Sequence, residues 1–230
     1  MTQQTGQSIE ALPLFPLGTV LFPGGLLPLQ IFEVRYLDMI GKAIKAGTPF
    51  GVVALTEGRE VRQRKDQPPG DAAPSGDGFA NEAFHTVGTL ATILQHAAPQ
   101  AGLLVVQCQG TQRFRIERQE KLKHGLWVAD VSLLPADQGV RVPHELKAAV
   151  DALGAFIQQL QSQGVSADTM PLAAPYALDD CAWVANRWAE LLPIDAQVKQ
   201  RLMALDSPLV RLELVHDLLE KAGLLALGGQ

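Results

Sequence analysis

Cysteine is scarce in this chain: only Cys108 and Cys181 occur, far apart and each in an apolar stretch. A disulfide framework is thereby excluded, and both read as small buried hydrophobes in a reducing compartment. No run of about 18 uncharged apolar residues is present, which excludes a membrane-spanning helix. The opening MTQQTGQSIEALP has neither a basic stretch nor an apolar one after it, so no secretory leader is expected and the cytoplasm is the expected location. A basic excess is missing too. Lys and Arg number 19 against 24 Asp and Glu, a net charge of −5, which argues against a general nucleic-acid or anionic-membrane surface.

Signatures of catalysis and metal binding are equally absent. No G-x-x-x-x-G-K-S/T loop occurs; Gly41-Lys42-Ala43 lacks both the upstream glycine and the hydroxyl residue. Without that loop there is no backbone cradle for nucleotide phosphates. There is no G-x-S-x-G elbow to present a nucleophile. The five histidines (His85, His96, His124, His144, His216) show no H-x-x-x-H spacing, and the cysteines no C-x-x-C, so no metal site is expected. The sequence therefore names no catalytic residue, no metal ligands and no cofactor.

What is present suffices for a folded protein: 47% of 230 residues are hydrophobic and 19% charged, too apolar a mixture for disorder. The first half reads as strands. Residues 12–15 and 26–32 are short and apolar, each with a proline (Pro13, Pro28) that favours an edge or bulged position. Between them Phe22-Pro23-Gly24-Gly25 signals a turn. Residues 33–46 look helical, with Val34, Leu37, Ile40 and Ile44 near helical spacing and Gly47 as a stop. Residues 50–56 return to a buried strand. Residues 57–82 hold Pro68, Pro69 and Pro74 and little apolar content beyond Val61 and Phe79, predicting a long loop or hairpin extension. Strand signals then follow at 86–97, 102–109, 112–119 and 126–134, with Gly110-Thr111 separating the middle pair. Close-set antiparallel strands predict a closed or partly closed sheet.

After Pro135 the pattern becomes helical. Leu146, Ala149, Val150, Leu153, Ile157 and Leu160 form a stripe closed by Gly164. Asp179 or Asp180 can cap a second helix, Asp195 a third, and Ser207-Pro208 opens a fourth. The expected organisation is α+β: a β-barrel domain with an inserted helix over 1–138, then a C-terminal four-helix bundle over 139–230.

Several ordered motifs resemble one family. Leu12 to Leu17 and Phe22-Pro23 look like its opening strand and turn. Pro28-Leu29-Gln30-Ile31-Phe32-Glu33-Val34-Arg35-Tyr36 is close to its PL-x-IFE-x-RY block. Val87-Gly88-Thr89-Leu90-Ala91-Thr92-Ile93 matches a further strand, and Gly110-Thr111-Gln112-Arg113-Phe114-Arg115-Ile116 a hairpin. Leu191-Leu192-Pro193, Lys199-Gln200-Arg201-Leu202 and Arg211-Leu212-Glu213 match its helical part. The chain thus resembles the N-terminal, substrate-binding domain of ATP-dependent Lon proteases, in its stand-alone form. The resemblance implies a PUA-like barrel followed by a helical bundle, and a binding module without the ATPase and peptidase parts, which are not expected here. Its implied partners are unfolded polypeptide segments or a protein partner, with no membrane and with nucleic acid disfavoured; the oligomeric state stays open.

Candidate binding residues follow. Glu33, Arg35 and Tyr36 form a polar cluster, read either as the mouth of a groove between barrel and bundle or as a structural ion pair at the helix start. Phe22 in its Pro-Gly turn, and Phe79 and Phe84 beside the long loop, read either as aromatics accessible to apolar segments or as caps on the two ends of the barrel. Arg113 and Arg115 share one strand face. Because PUA folds bind RNA in other proteins, these two carry the alternative of RNA or small-ligand binding, an analogy of fold only. Trp127, Trp183 and Trp188 read as packing residues.

Overall fold

The computed structural model describes residues 7–57, 82–166 and 169–225. Seven strands and one helix make up the first part: β1 (Ser8–Leu17), β2 (Leu26–Ile31), α1 (Val34–Ala46), β3 (Phe50–Glu57), β4 (Ala83–Phe84), β5 (Val87–Gln100), β6 (Leu103–Lys121) and β7 (Trp127–Leu133). Strand pairing runs β1-β7-β6-β5-β3, all antiparallel, and β3 returns parallel to β1, so the sheet closes on itself. β4 adds to β3, and β2 adds to the first half of β6. Pro13 lies on β1 just outside the stretch that closure pairs on both sides. That residue pairs with Val128 of β7 just before the β3 pairing begins at Leu14, and a bulge lies between Ile9 and Leu12. Pro28 sits on β2, whose only strand partner among the described residues is β6.

The sequence break at Gly110-Thr111 is not a turn. β6 runs unbroken for 19 residues, and Gly110 is there because another backbone crosses it: a Cβ at this position would stand 2.2 Å from the carbonyl oxygen of Phe22. Gly24 N–H donates to Gly110 O at 2.8 Å, and Gly110 N–H donates to Gly25 O at 2.9 Å. A close approach and a turn call for the same residue, which is why the two cannot be told apart in the sequence.

α1 packs Tyr36, Met39 and Ile40 against Phe15, Ile31, Phe50 and Val106, and Gly47 ends it at φ 63°. A 3-10 turn (His144–Leu146) leads to α2 (Lys147–Ser162), α3 (Cys181–Leu191), α4 (Ala196–Ala204) and α5 (Pro208–Lys221). Asp180 caps α3 by accepting Trp183 N–H, and Ser207 caps α5 by accepting Val210 N–H. Asp195 occupies the N-cap of α4 without a side-chain bond. The helices share one core with the sheet: Val20, Phe22, Ala54 and Val87 cluster with Leu153, Val184, Trp188 and Leu212. Both cysteines are free and fully buried, and burial pushes the Cys108 thiol up to about 12. No helix among the described residues is long and apolar enough to cross a membrane.

Candidate functional site at the junction of sheet and helices

The turn at residues 22–25 is the seat on which α3 rests. Phe22 is fully buried, Gly24 takes φ 77°, and the exposed backbone of the turn becomes an acceptor. Arg187 Nη2 donates to Pro23 O at 2.9 Å and to Glu190 Oε1 at 2.8 Å. The Glu190 carboxylate lies over Gly25, in space that any Cβ there would occupy. Burial outweighs the attraction within this pair: it draws the Arg187 guanidinium down and pushes the Glu190 carboxyl up to about 7. The folded state therefore binds the Glu190 proton more tightly than the unfolded chain does. Its stabilising contribution is complete below the ordinary glutamate pKa and is lost as pH rises from about 4.5 to about 7. Glu190→Gln is expected to flatten the stability-versus-pH curve in that window while costing about 1 kcal/mol or less at pH 5; urea titrations at pH 5, 6 and 7 on both proteins measure this.

A second polar group joins three parts of the chain. Arg113 of β6, Arg211 of α5 and Asp137 in the segment after β7 have side chains only 3%, 0% and 9% exposed. Arg211 donates to both Asp137 oxygens at 2.6 and 3.1 Å, to Asn186 Oδ1 and to Leu202 O. Arg113 reaches Asp137 Oδ1 at 3.2 Å and donates to Met203 O and Leu205 O. Two arginines thus satisfy the carbonyls of Met203 and Leu205 at the end of α4, and Arg211 adds to the bond that Leu202 O accepts from Leu205 N–H.

Beside this network opens a groove of about 420 Å3, lined from both parts by Pro23, Thr111, Gln112, Pro135, Ala182 and Trp183, with Arg113, Asp137 and Asn186 in its wall. Trp183 is half-buried and its indole tilts against Tyr176 at 6.0 Å between centroids. The polar wall is already engaged internally, and the lining hydroxyl, Thr111, donates to Leu90 O. No histidine or cysteine lines the groove. The arrangement offers shape, apolar surface and fixed dipoles rather than a nucleophile with a base.

The expected site residues fall in different places. Phe22 is not accessible: the turn folds inward because its carbonyls bind β6 and α3, which carries the ring into the shared core. Arg113 and Arg115 do point to one face, but the helices cover that face at Arg113 and leave Arg115 exposed, so no paired-arginine surface exists. Arg35 and Tyr36 are buried, 5% and 2% exposed. Arg35 bonds Glu33, Glu82 and the Gly125 carbonyl, so the cluster is an ion-pair network within the sheet part and not the mouth of the junction groove. Burial would raise the Glu82 carboxyl, yet the hydrogen bonds it accepts from Arg35 and Trp127 hold it below the usual range. Phe84 is half-buried edge-on against Trp127, 5.3 Å between centroids. Phe79 and the rest of the 58–81 stretch lie outside the described residues.

Sequence reasoning missed Arg187, Arg211, Asp137 and Glu190. One signal was available: Arg211 stands four and eight residues before Val215 and Leu219, a cation on the apolar stripe of a helix, where an unpaired charge is costly. Asp137 carried none, being an ordinary acid in a connection.

A family model for the ATP-dependent protease La (LON) substrate-binding domain matches residues 11–221. The Lon protease of Paraburkholderia phytofirmans is 28% identical over 215 residues, 90% of this chain and 24% of that protein. That of Phenylobacterium zucineum is 28% identical over 167 residues, 72% of this chain and 18% of that protein. The chain spans about a quarter or less of the length of these curated relatives. The crystal structure of a Lon N-terminal domain protein from Xanthomonas campestris superposes with a TM-score of 0.65 at 29% identity, covering 90% of this chain and 97% of that one. The N-terminal domain of a Mycobacterium avium complex Lon protease shares the fold, with a TM-score of 0.56 at 16% identity over 92% of this chain and 97% of that one. The match runs from the bulge of β1 to the last residue of α5, taking in the 22–25 turn, the continuous β6 and the arginines that tie helices to sheet, and the chain belongs to the LON substrate-binding domain family.

Proposed function

We propose that this chain is a non-catalytic polypeptide-binding module of the cytoplasm. In this reading a PUA-like barrel domain, residues 1–138, and a four-helix bundle domain, 139–230, jointly hold unfolded segments of other proteins. The junction groove carries the reading: it is lined from both parts, holds a half-buried Trp183 with Pro23 and Pro135, and has a polar wall whose hydrogen bonds are already made. Such a wall does not need to be desolvated again when an apolar segment enters, and an aromatic anchor in a preformed pocket gives large contact area at low entropic cost.

The test is a titration of the full chain with a permanently unfolded, carboxymethylated protein and with the same protein in its native form. Binding should favour the unfolded form. Trp183→Ala should weaken it tenfold or more, about 1.4 kcal/mol, with the circular dichroism spectrum unchanged. Equal affinity for folded and unfolded forms, or no binding of either, would overturn the assignment.

A further inference from the structure

A second surface shares no residue with the junction groove. Among the described residues β2 pairs with β6 on one side only, and no further hydrogen bond reaches residues 26–31 from the other side. Soluble proteins usually guard such an edge with charge. Here the guard is missing: residues 11–32 contain no Asp, Glu, Lys or Arg, and neither do residues 83–112. β2, all of β5 and the half of β6 between them therefore carry no Asp, Glu, Lys or Arg, and one histidine, His96. Along the open edge runs a cleft of about 80 Å3 formed by Phe15, Leu17, Leu29, Phe32 and Tyr36. Its floor is firm, because Phe15 stacks on Tyr36 with centroids 4.0 Å apart and planes 12° from parallel. Its rim carries Phe32, 54% exposed, together with Gln30 and Glu33, and Val34 next along the chain is 81% exposed. Glu33 between them is held by Arg35 at 3.0 Å, a guanidinium it shares with Glu82.

We propose that the outer edge of β2 binds an extended, uncharged polypeptide segment as an added strand, alternate side chains of the segment entering the cleft between Phe15, Tyr36 and Phe32. The open row of backbone groups asks for another strand, and the period of a strand would deliver every second side chain to the cleft. The absence of charge on three adjacent strands selects against acidic and basic segments, which would lose their hydration without gaining a partner. Pro28 takes one donor out of the row. Fewer backbone bonds are then available, the apolar cleft supplies much of the affinity, and long-range stacking of strands is discouraged. The inference rests on the polypeptide-binding reading for its ligand class, and on the strand edge for its mode.

The experiment titrates the isotopically labelled full chain with an uncharged ten-residue peptide alternating valine and threonine, followed by amide shifts. Shifts should concentrate in residues 26–34. N-methylation of alternate peptide amides should abolish binding, lysine in place of the threonines should weaken it at least tenfold, and Phe32→Lys in the chain should do the same without altering shifts elsewhere. Shifts mapping to Thr111 and Trp183, with Phe32→Lys silent, would overturn the strand site while leaving the junction reading intact. No binding of the peptide by a chain that still binds the carboxymethylated protein would also overturn it. Concentration-dependent shifts of 26–31 without peptide would assign the edge to a second copy of the chain, and overturn it likewise.

Discussion

Replacing Asp137 by asparagine is expected to destabilise the fold by about 3–5 kcal/mol, read as a drop in the urea midpoint at constant slope. The carboxylate accepts three hydrogen bonds from two arginines whose side chains are 3% and 0% exposed. Apart from the exposed Asp206, their remaining acceptors are neutral: the carbonyls of Leu202, Met203 and Leu205 and the amide of Asn186. Removing this buried anion leaves two buried cations near each other, and asparagine turns an amino group toward donors that have nothing to accept from it. Asp206 does not substitute, since it stands 3.5 Å from Arg113 with its side chain 84% exposed. Asp206→Asn is accordingly expected to cost under about 0.5 kcal/mol. A loss below about 1 kcal/mol for Asp137→Asn would show that the two arginines are held by the carbonyls alone.

Phe22→Ala is expected to cost about 3–5 kcal/mol and Phe32→Ala under about 0.5. The two phenylalanines are ten residues apart in the same uncharged stretch, yet one is 0% and the other 54% exposed. The cavity left by Phe22 cannot close, because its backbone is pinned: its carbonyl accepts Gly25 N–H at 3.0 Å and lies against Gly110, while Arg187 holds Pro23. The surrounding atoms would have to leave the shared core of sheet and helices to fill the space. Equal and small effects of the two substitutions in thermal unfolding would contradict the packing of the 22–25 turn.

These contrasts mark where sequence reading succeeds and where it stops. Element positions were legible because each depends on neighbours within a turn or two. Ser207-Pro208 opens α5, Asp180 caps α3, Gly47 ends α1, and the apolar stripe of α2 buries Ala149, Leu153 and Ile157. The family was legible for a related reason, since its motifs combine such local signals in a fixed order. Two shortfalls share one cause. Gly110 read as a break, and the accessible reading of Phe22 stayed open, because both signals came from residues about 90 positions apart that meet only in the fold. Arg113 and Arg115 likewise share a strand face in any register, but only the placement of α4 over that face separates a buried ion pair from a solvated side chain.

By itself the sequence determined the α+β composition, the order and approximate ends of the elements, and the family. Those properties follow from periodicity, caps and local motifs, which act over a few residues. The tertiary structure alone decided the rest: that β6 is one strand, that Asp137 joins Arg113 to Arg211, that the junction leaves a groove beside Trp183, and that β2, among the described residues, pairs on one side only. Burial and charge pairing are properties of distant segments brought together, and no local pattern carries the address of its partner.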